Sequence, residues 1–333
     1  MTGDIMATKK KSGKGTKAFV AIVLVLFTIF LSGVVVVNHY LNKINKVDDV
    51  VPIPADQEDF ETDVYDPSLE IIDPDSVNWD GDGYSGNDDH LINILLVGQD
   101  RREGQGRQRS DSMILCSFNP STNQLSMISF LRDLYVQIPG YSDNRLNAAY
   151  VFGGFPLLKE TLYRNFGVTV DGCVEVDFNG FKTAIDLVGG VDIELTAAEA
   201  KIVGDGATAG MCHLDGAHAL MYARIRKIDS DFNRTSRQRN VLNAVFKKVR
   251  NCSVGELLNL VDELLPIVTT DMSNGQITSL AVKYAPSLAG LGIETHSVPP
   301  KGTYKQAMIR GMAVLVPDRY AIKKIIFEEF LPM

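Results

Sequence analysis

Lysine and arginine are missing altogether from residues 48–89, a stretch that carries fifteen aspartates and glutamates. Residues 1–47 are the reverse, with seven lysines and one aspartate, while 90–333 hold 26 basic and 25 acidic side chains. The net charge of −8 is therefore an average over three unlike segments. A C-terminal portion so near neutrality lacks the basic excess of a general nucleic-acid binder. Cysteine is scarce: four in 333 residues, with no CxxC pair and no metal-ligand spacing, which argues against a zinc site. Cys116 and Cys173 fall in apolar runs and read as small buried hydrophobes, while a Cys212–Cys252 disulfide stays open for a chain outside the cell. No GxSxG or Ser-His-Asp arrangement occurs, and His213 and His218 flank Leu214-Asp215-Gly216 without a set of partners that would bind a metal. What is left for chemistry is carboxylate, guanidinium and a hard metal ion. That set serves phosphoryl transfer, where positioning and charge stabilisation do most of the work.

What the chain does have begins with Ala18–Val37, twenty residues broken only by Thr28, Ser32 and Gly33. This is long enough to cross a bilayer core. Lys9, Lys10, Lys11, Lys14 and Lys17 precede it, so the positive-inside rule keeps residues 1–17 in the cytoplasm and places the rest outside. The expected location is the cell membrane, with a single pass. The acidic linker, 38–90, has Pro52, Pro54, Pro67 and Pro74 and reads as an extended, mostly disordered spacer. Within it Asn78–Asp89 has oxygen ligands at calcium-loop offsets, but without flanking helices it reads better as an acidic turn. From Leu91 to the end, strand and helix signals alternate. This predicts a layered α-β-α domain over 91–333, with a central mixed sheet flanked by helices. Asn147–Phe152 and Leu157–Phe166 read as helices split by Gly153-Gly154.

The stretch Leu91–Asp111 organises that domain. Leu91 to Val97 is short, rich in Ile, Leu and Val, and stops at Gly98, as a buried strand does. Asp100, Arg101, Arg102, Arg107, Arg109 and Asp111 follow on a glycine-containing loop before a second apolar run, Met113–Phe118. Carboxylates that suit a divalent cation, beside guanidinium forks that match phosphate oxygens, point to a phosphate or pyrophosphate site. Three more arginine groups join it: Arg132-Asp133 after a strand, Arg224 and Arg226 two apart, and Arg234-Thr-Ser-Arg237-Gln238 near a helix start, where an anion is favoured. Any one of these groups is also compatible with a solvated surface.

Several ordered motifs resemble one family. They are Asn93-Ile-Leu-Leu-Val-Gly98-Gln-Asp100, Arg109-Ser-Asp111, Ser129-Phe-Leu-Arg132-Asp133, Arg145-Leu-Asn147-Ala-Ala-Tyr150, Asp186-Leu-Val-Gly-Gly190, Leu214-Asp-Gly216 through Tyr222-Ala-Arg224-Ile-Arg226, and Arg234-Thr-Ser-Arg237-Gln238. Together they make residues 91–250 similar to the LytR-CpsA-Psr proteins, membrane-anchored ligases of Gram-positive cell walls. The resemblance implies a transferase that moves an anionic glycopolymer from an undecaprenyl-pyrophosphate carrier to a muramic acid hydroxyl of peptidoglycan. It implies Mg²⁺ (or Mn²⁺) on Asp100 and Asp111, and a diphosphate clamp of Arg102, Arg109, Arg132, Arg224 and Arg226. Arg234, Arg237 and Gln238 would border the site, and Asp100 is the candidate proton acceptor. The lipid tail would lie in a tunnel lined from Phe152, Phe155, Leu158, Leu162 and Phe178. The chain departs from the family habit at Leu131 (often Pro), Arg145 (often Lys) and Asn233 (often Gly); the last would fit a positive φ. Two other readings use the same residues: a non-catalytic receptor for polyprenyl phosphates or wall polymer, and a lipid-linked pyrophosphatase.

Overall fold

The run that follows Leu91 forms a strand, and the sheet grows on both sides of it. A computed structural model describes residues 40–47, 51–79, 86, 88–101, 105–226, 228, 231–252, 254–284 and 290–332. The apolar stretch 18–37 and the single pass expected of it lie outside the described residues, among which no helix is long and apolar enough to cross a membrane. Residues up to Lys43 form a unit of their own, described only for a helical turn that Lys43 N closes on the carbonyl of Tyr40.

From Ile44 the chain runs through β1 (Asn45–Lys46), β2 (Glu70–Ile71), β3 (Ile92–Gln99), β4 (Ser110–Asn119), β5 (Gln124–Phe130), β6 (Tyr135–Val136) and β7 (Asn144–Arg145). Helix α1 (Leu146–Phe166) follows, then β8 (Gly172–Asp177), α2 (Phe178–Leu187), β9 (Val191–Leu195), α3 (Ala197–Val203), β10 (Gly210–Leu214) and α4 (Gly216–Ala223). Next come α5 (Asp231–Val249), α6 (Val254–Leu264), β11 (Val268–Thr270) and α7 (Asn274–Tyr284). The chain closes with β12 (Gly292–Val298), β13 (Tyr304–Ile309), β14 (Met312–Pro317) and α8 (Arg319–Ile325). Seven strands make the main sheet in the order β1-β11-β8-β3-β4-β5-β12. The β3–β8 and β5–β12 pairs are parallel and the β3–β4 and β4–β5 pairs antiparallel, so the sheet is mixed.

Alternation along the strands decides which helix covers which face. Leu95, Val97, Met113, Leu115, Ile128 and Phe130 belong to the core that α1 completes with Phe152, Phe155, Leu158, Leu162 and Phe166. Ile114, Leu125 and Met127 belong to another, with Leu242 and Phe246 of α5 packed against it. Helices α2, α3, α4 and α5 share a third core with β9 and β10, built on Ile185, Ile193, Val203, Tyr222 and Val241. The expected α-β-α layering is therefore present. Gly154 has φ +61° and breaks α1 where the glycine pair predicts a split. Gly216 has a different reason: a Cβ there would stand 2.2 Å from the carbonyl oxygen of Lys182, so α4 starts against the backbone of α2. Its N–H meets Asp186 Oδ1 at 2.7 Å, which ties together two of the motifs read from the sequence. Asn233 lies inside α5 with helical backbone and needs no positive φ, against expectation.

The acidic stretch differs most from expectation. Residues 51–79 are not a loose spacer but a strap bound to the domain. Ile53 N donates to the carbonyl of Phe152 at 2.8 Å, Ser142 N donates to Glu58 Oε2 at 2.9 Å, and β2 pairs with β13. Asp63 accepts from Ala313 N at 2.8 Å and from the buried Arg145 guanidinium. Val77 is buried with Tyr135, Ile309, Met312 and Val314, and the Trp79 ring stacks on Tyr135 with centroids 5.8 Å apart. Glu58, Asp59, Glu61 and Asp63 are spaced so that each finds an N–H, hydroxyl or guanidinium on the domain, and composition averaged over the segment hides that. In the proposed calcium loop, residues 80–85 and 87 lie outside the described ones; Asp88 is buried and accepts from Asn93 Nδ2 at 2.8 Å and Thr169 N at 3.0 Å.

Candidate anion site at the mouth of an apolar cavity

Strands β3 and β4 deliver the two acids of the site. Asp100 follows the last residue of β3, and Asp111 is the second residue of β4, across a register irregularity at Gly98/Gln99. Asp111 is the hub. Its Oδ1 accepts from Arg132 Nη1 at 2.8 Å and Arg226 Nη2 at 3.2 Å, and its backbone carbonyl accepts from Arg234 Nη2 at 3.4 Å. Arg132 stands two residues past β5 and also lies 3.4 Å from Asp133. Arg224 caps the C-terminus of α4 with φ −100°, ψ 1°, reaches Asp100 Oδ2 at 3.5 Å, and lies 4.4 Å above the Phe178 ring. The chain has left the helix here, so Arg226 projects into the same space as Arg224 while Ile225 between them is buried. Arg109 Nη2 meets Asp59 Oδ1 of the strap at 2.5 Å, over the Phe152 ring.

Asp100, Arg109, Asp111, Arg132, Arg224 and Arg226 therefore line one open cavity of about 1110 Å³. Asp111, Arg224 and Arg226, with Leu220, also line a second cavity of about 250 Å³. That one runs between the sheet and α2, α4 and α5, and its walls are carbon: Leu96, Ile114, Val174, Phe178, Ile185 and Val241 among them. Arg234 and Gln238 complete its lining, and the buried Gln238 Oε1 has no hydrogen-bond partner within the protein. Half-exposed guanidinium groups at the mouth of an apolar space suit an amphiphile with an anionic head. Exposed ion pairs are each worth only about 0–1 kcal/mol. The arginines can thus exchange Asp100 and Asp111 for a phosphate at little cost.

Not every expected residue joins them. Arg237 does not face the site: its Nε binds Glu199 Oε1 at 2.6 Å and its Nη1 the Ile225 carbonyl at 3.1 Å, both buried. Arg234 and Gln238 are four apart on α5 and share a face, whereas three residues of helix turn Arg237 roughly 60° away. Burial works to raise the Glu199 carboxyl, but Arg237 and the Thr196 cap outweigh it and hold the group below its usual range. Arg237 thus fixes the turn that presents Arg224 and Arg226. The tail-lining set is also corrected: of five residues only Phe178 lines the apolar cavity, and Phe152, Phe155, Leu158 and Leu162 pack under α1. Arg102 lies outside the described residues. Asp59, Glu61, Gln108 and Asn147 were not anticipated and line the wide cavity. Arg107, which burial pulls below its usual pKa, bonds instead to the carbonyls of Val51, Val151 and Phe152. All four cysteines are free, so Cys212 and Cys252 do not pair.

Residues 60–328 match the LytR_cpsA_psr family. Over 206 residues the chain is 36% identical to the polyisoprenyl-teichoic acid–peptidoglycan teichoic acid transferase TagU of Oceanobacillus iheyensis, a match covering 58% of this chain and 63% of that one. Over 222 residues it is 32% identical to the regulatory protein MsrR of Staphylococcus aureus, covering 65% and 67%. The chain thus spans somewhat under two thirds of the length of the transferase it matches. Among solved structures, TagT bound to LIIa-WTA superposes with a TM-score of 0.60 at 25% identity, covering 75% of this chain and 97% of that one. TagV of B. subtilis gives 0.57 at 28%, covering 72% and 97%.

Proposed function

The chain belongs to the LytR_cpsA_psr family, and from that premise we propose that it transfers an anionic, teichoic-acid-type glycopolymer from a polyprenyl-pyrophosphate carrier to peptidoglycan. One observation carries the reading: the Asp111 hub with Arg132 and Arg226 stands where a wide polar cavity meets an apolar one. A polyprenyl diphosphate has both halves of that chemistry. The names of the TagU relatives and of the TagT complex point the same way. The polyprenyl chain would enter between the sheet and α2, α4 and α5, leaving the diphosphate among Arg132, Arg224 and Arg226. Arg109 would take a phosphate oxygen in place of Asp59.

In the proposed reaction a muramic acid hydroxyl attacks the glycan-bearing phosphorus. A phosphodiester forms, the P–O–P bond breaks, and polyprenyl phosphate departs. Asp100, the less engaged of the two acids, accepts the hydroxyl proton. The arginines stabilise charge on the equatorial oxygens as the bond breaks. Asp100 and Asp111 also fit a hard divalent cation, Mg²⁺ or Mn²⁺. Among the described residues no group of three or more ligating side chains forms, so substrate oxygens would complete the shell, as Mg²⁺ commonly requires. Bound there, such an ion supplies charge neutralisation of the diphosphate. Residues 18–37 would anchor the domain at the outer membrane surface, within reach of a lipid carrier. A DNA-binding role has little to recommend it in a region of 26 basic and 25 acidic residues.

The test is transfer itself. Full-length protein in lipid nanodiscs is given a polyprenyl-pyrophosphate glycan and Mg²⁺, with and without a muramic-acid-containing acceptor. Phosphodiester-linked product that appears only with acceptor is expected. Release of free phosphorylated glycan without acceptor would assign a pyrophosphatase instead, and binding with no turnover a receptor.

A further inference from the structure

A glutamate is almost never fully buried unless something pairs with it, because its charge is costly to take out of water. Glu175 is buried, at 3% exposed, and no step of the proposed transfer uses it. It belongs to β8 and stands level with Val97 of β3. Its neighbours Val174 and Val176 line the apolar cavity, so strand alternation turns Glu175 to the opposite face of the sheet, the one α1 covers. There it accepts a hydrogen bond from the Tyr150 hydroxyl, and Arg101 Nη2 lies 3.3 Å from its Oε1. Burial, and after it the Glu175 carboxylate, push Tyr150 above its ordinary pKa, so the hydroxyl remains a donor.

Arg101 matters for what precedes it. Asp100 lines the wide cavity and meets Arg224 at 3.5 Å, while the very next residue reaches back to Glu175 on the α1 side. Adjacent residues of extended chain point to opposite faces, so a side chain held on one face commits its neighbour to the other. The loop is fastened elsewhere too. Gln99 Oε1 accepts from Gln108 N at 2.9 Å, closing its neck, and Arg107 bonds to the carbonyls of Val51, Val151 and Phe152. None of these other ties touches Asp100 or the residue after it. The orientation of Asp100 is left to the Arg101–Glu175 pair.

We propose that Glu175 is a positioning residue: through Arg101 it sets Asp100 at the wall of the wide cavity, although it touches neither substrate nor cation. The inference rests on the reading of Asp100 as proton acceptor and cation ligand. Tying Arg101 to Glu175 also withholds that guanidinium from the diphosphate, which meets Arg132, Arg224 and Arg226 instead.

Two variants of the full-length protein in nanodiscs test this. Glu175→Gln removes the charge and keeps an acceptor for Tyr150. Arg101→Ala removes the other partner without opening the core, since that side chain is 36% exposed. Four quantities are measured: kcat for transfer, Mn²⁺ affinity by electron paramagnetic resonance, binding of inorganic pyrophosphate, and Tm. Each variant is expected to lower kcat and Mn²⁺ affinity by about 10–100-fold, the usual loss when a group that orients a ligand is removed. Pyrophosphate binding should stay within about twofold, because Arg132, Arg224 and Arg226 are untouched. The double variant should be no worse than the worse single one, since both changes break one contact. The proposal is overturned if Arg101→Ala leaves kcat and Mn²⁺ affinity within about twofold, if pyrophosphate binding falls by the same factor as kcat, or if the two losses multiply. Should Glu175→Gln melt far below the wild type, Arg101→Ala alone decides. Wild-type protein that binds Mn²⁺ without transferring glycan would count against the proposed function, and Mn²⁺ affinity would still decide the role of Glu175. Wild-type protein that does neither would remove Asp100 from the site, and this inference with it.

Discussion

Arg132→Ala is expected to lower transfer from a lipid-linked glycan by roughly 10²–10³-fold, the usual loss when one preorganised donor to developing charge is removed. Arg132 is the shortest of the contacts on the Asp111 carboxylate, at 2.8 Å, against 3.2 Å for Arg226. With both arginines present, Asp111 holds two forks on one oxygen at the wall of the wide cavity. Without Arg132 the carboxylate keeps Arg226, and the proposed diphosphate loses the guanidinium that stands two residues past β5. The fold should survive, because the Arg132–Asp111 pair is partly exposed and worth about 0–1 kcal/mol. The check is kcat/KM in the transfer assay beside a melting curve. A fall of under about threefold, or a large drop in Tm, would remove Arg132 from the proposed chemistry.

Ala184→Phe should discriminate between the two halves of the substrate. Ala184 sits on α2, between Phe181 and Ile185, and lines the apolar cavity of about 250 Å³. A phenyl ring placed there occupies space that the reading assigns to polyprenyl carbons. Each buried methylene contributes about 0.8 kcal/mol, so excluding about four carbons costs about 3 kcal/mol, on the order of 100-fold in affinity. Overpacking is normally destabilising, but here the ring enters an existing void, and Tm should hold. Binding of a long-chain polyprenyl phosphate is expected to fall by that factor while inorganic pyrophosphate binds as before. Equal loss of both ligands, or no loss of either, would contradict the assignment of this cavity to the lipid.

What could be read in the sequence was local, and what could not was relational. Strand β3 announces itself because Leu91–Val97 is short, β-rich and closed by a glycine, and Asp100 and Asp111 follow from its loop. Gly153-Gly154 likewise splits α1 through backbone freedom that needs no partner. Four of the five residues expected along a tail tunnel do not line the apolar cavity, because an apolar stripe does not say which face of a sheet it will cover. Phe152, Phe155, Leu158 and Leu162 would suit either side, and pack under α1. Arg237 was grouped with Arg234 and Gln238 by spacing, yet its partner, Glu199, comes from a helix, α3, that the sequence reading did not anticipate. The β13–β14 hairpin was also missed, although Arg310-Gly311, both with positive φ, is the turn signal. The strap escaped for a related reason. Its charge looks like that of a solvated spacer until Arg109, Arg145 and the N–H of Ala313 stand opposite Asp59, Glu61 and Asp63.

The central claim is that one amphiphile spans both cavities, with its diphosphate at their junction. A crystal structure of the domain grown with a polyprenyl diphosphate and Mg²⁺ measures this directly. Continuous alkyl density between the sheet and α2, α4 and α5, ending in phosphate within hydrogen-bond distance of Arg132, Arg224 and Arg226, is the predicted result. Alkyl density on the α1 face, or phosphates bound away from Asp111, would contradict it.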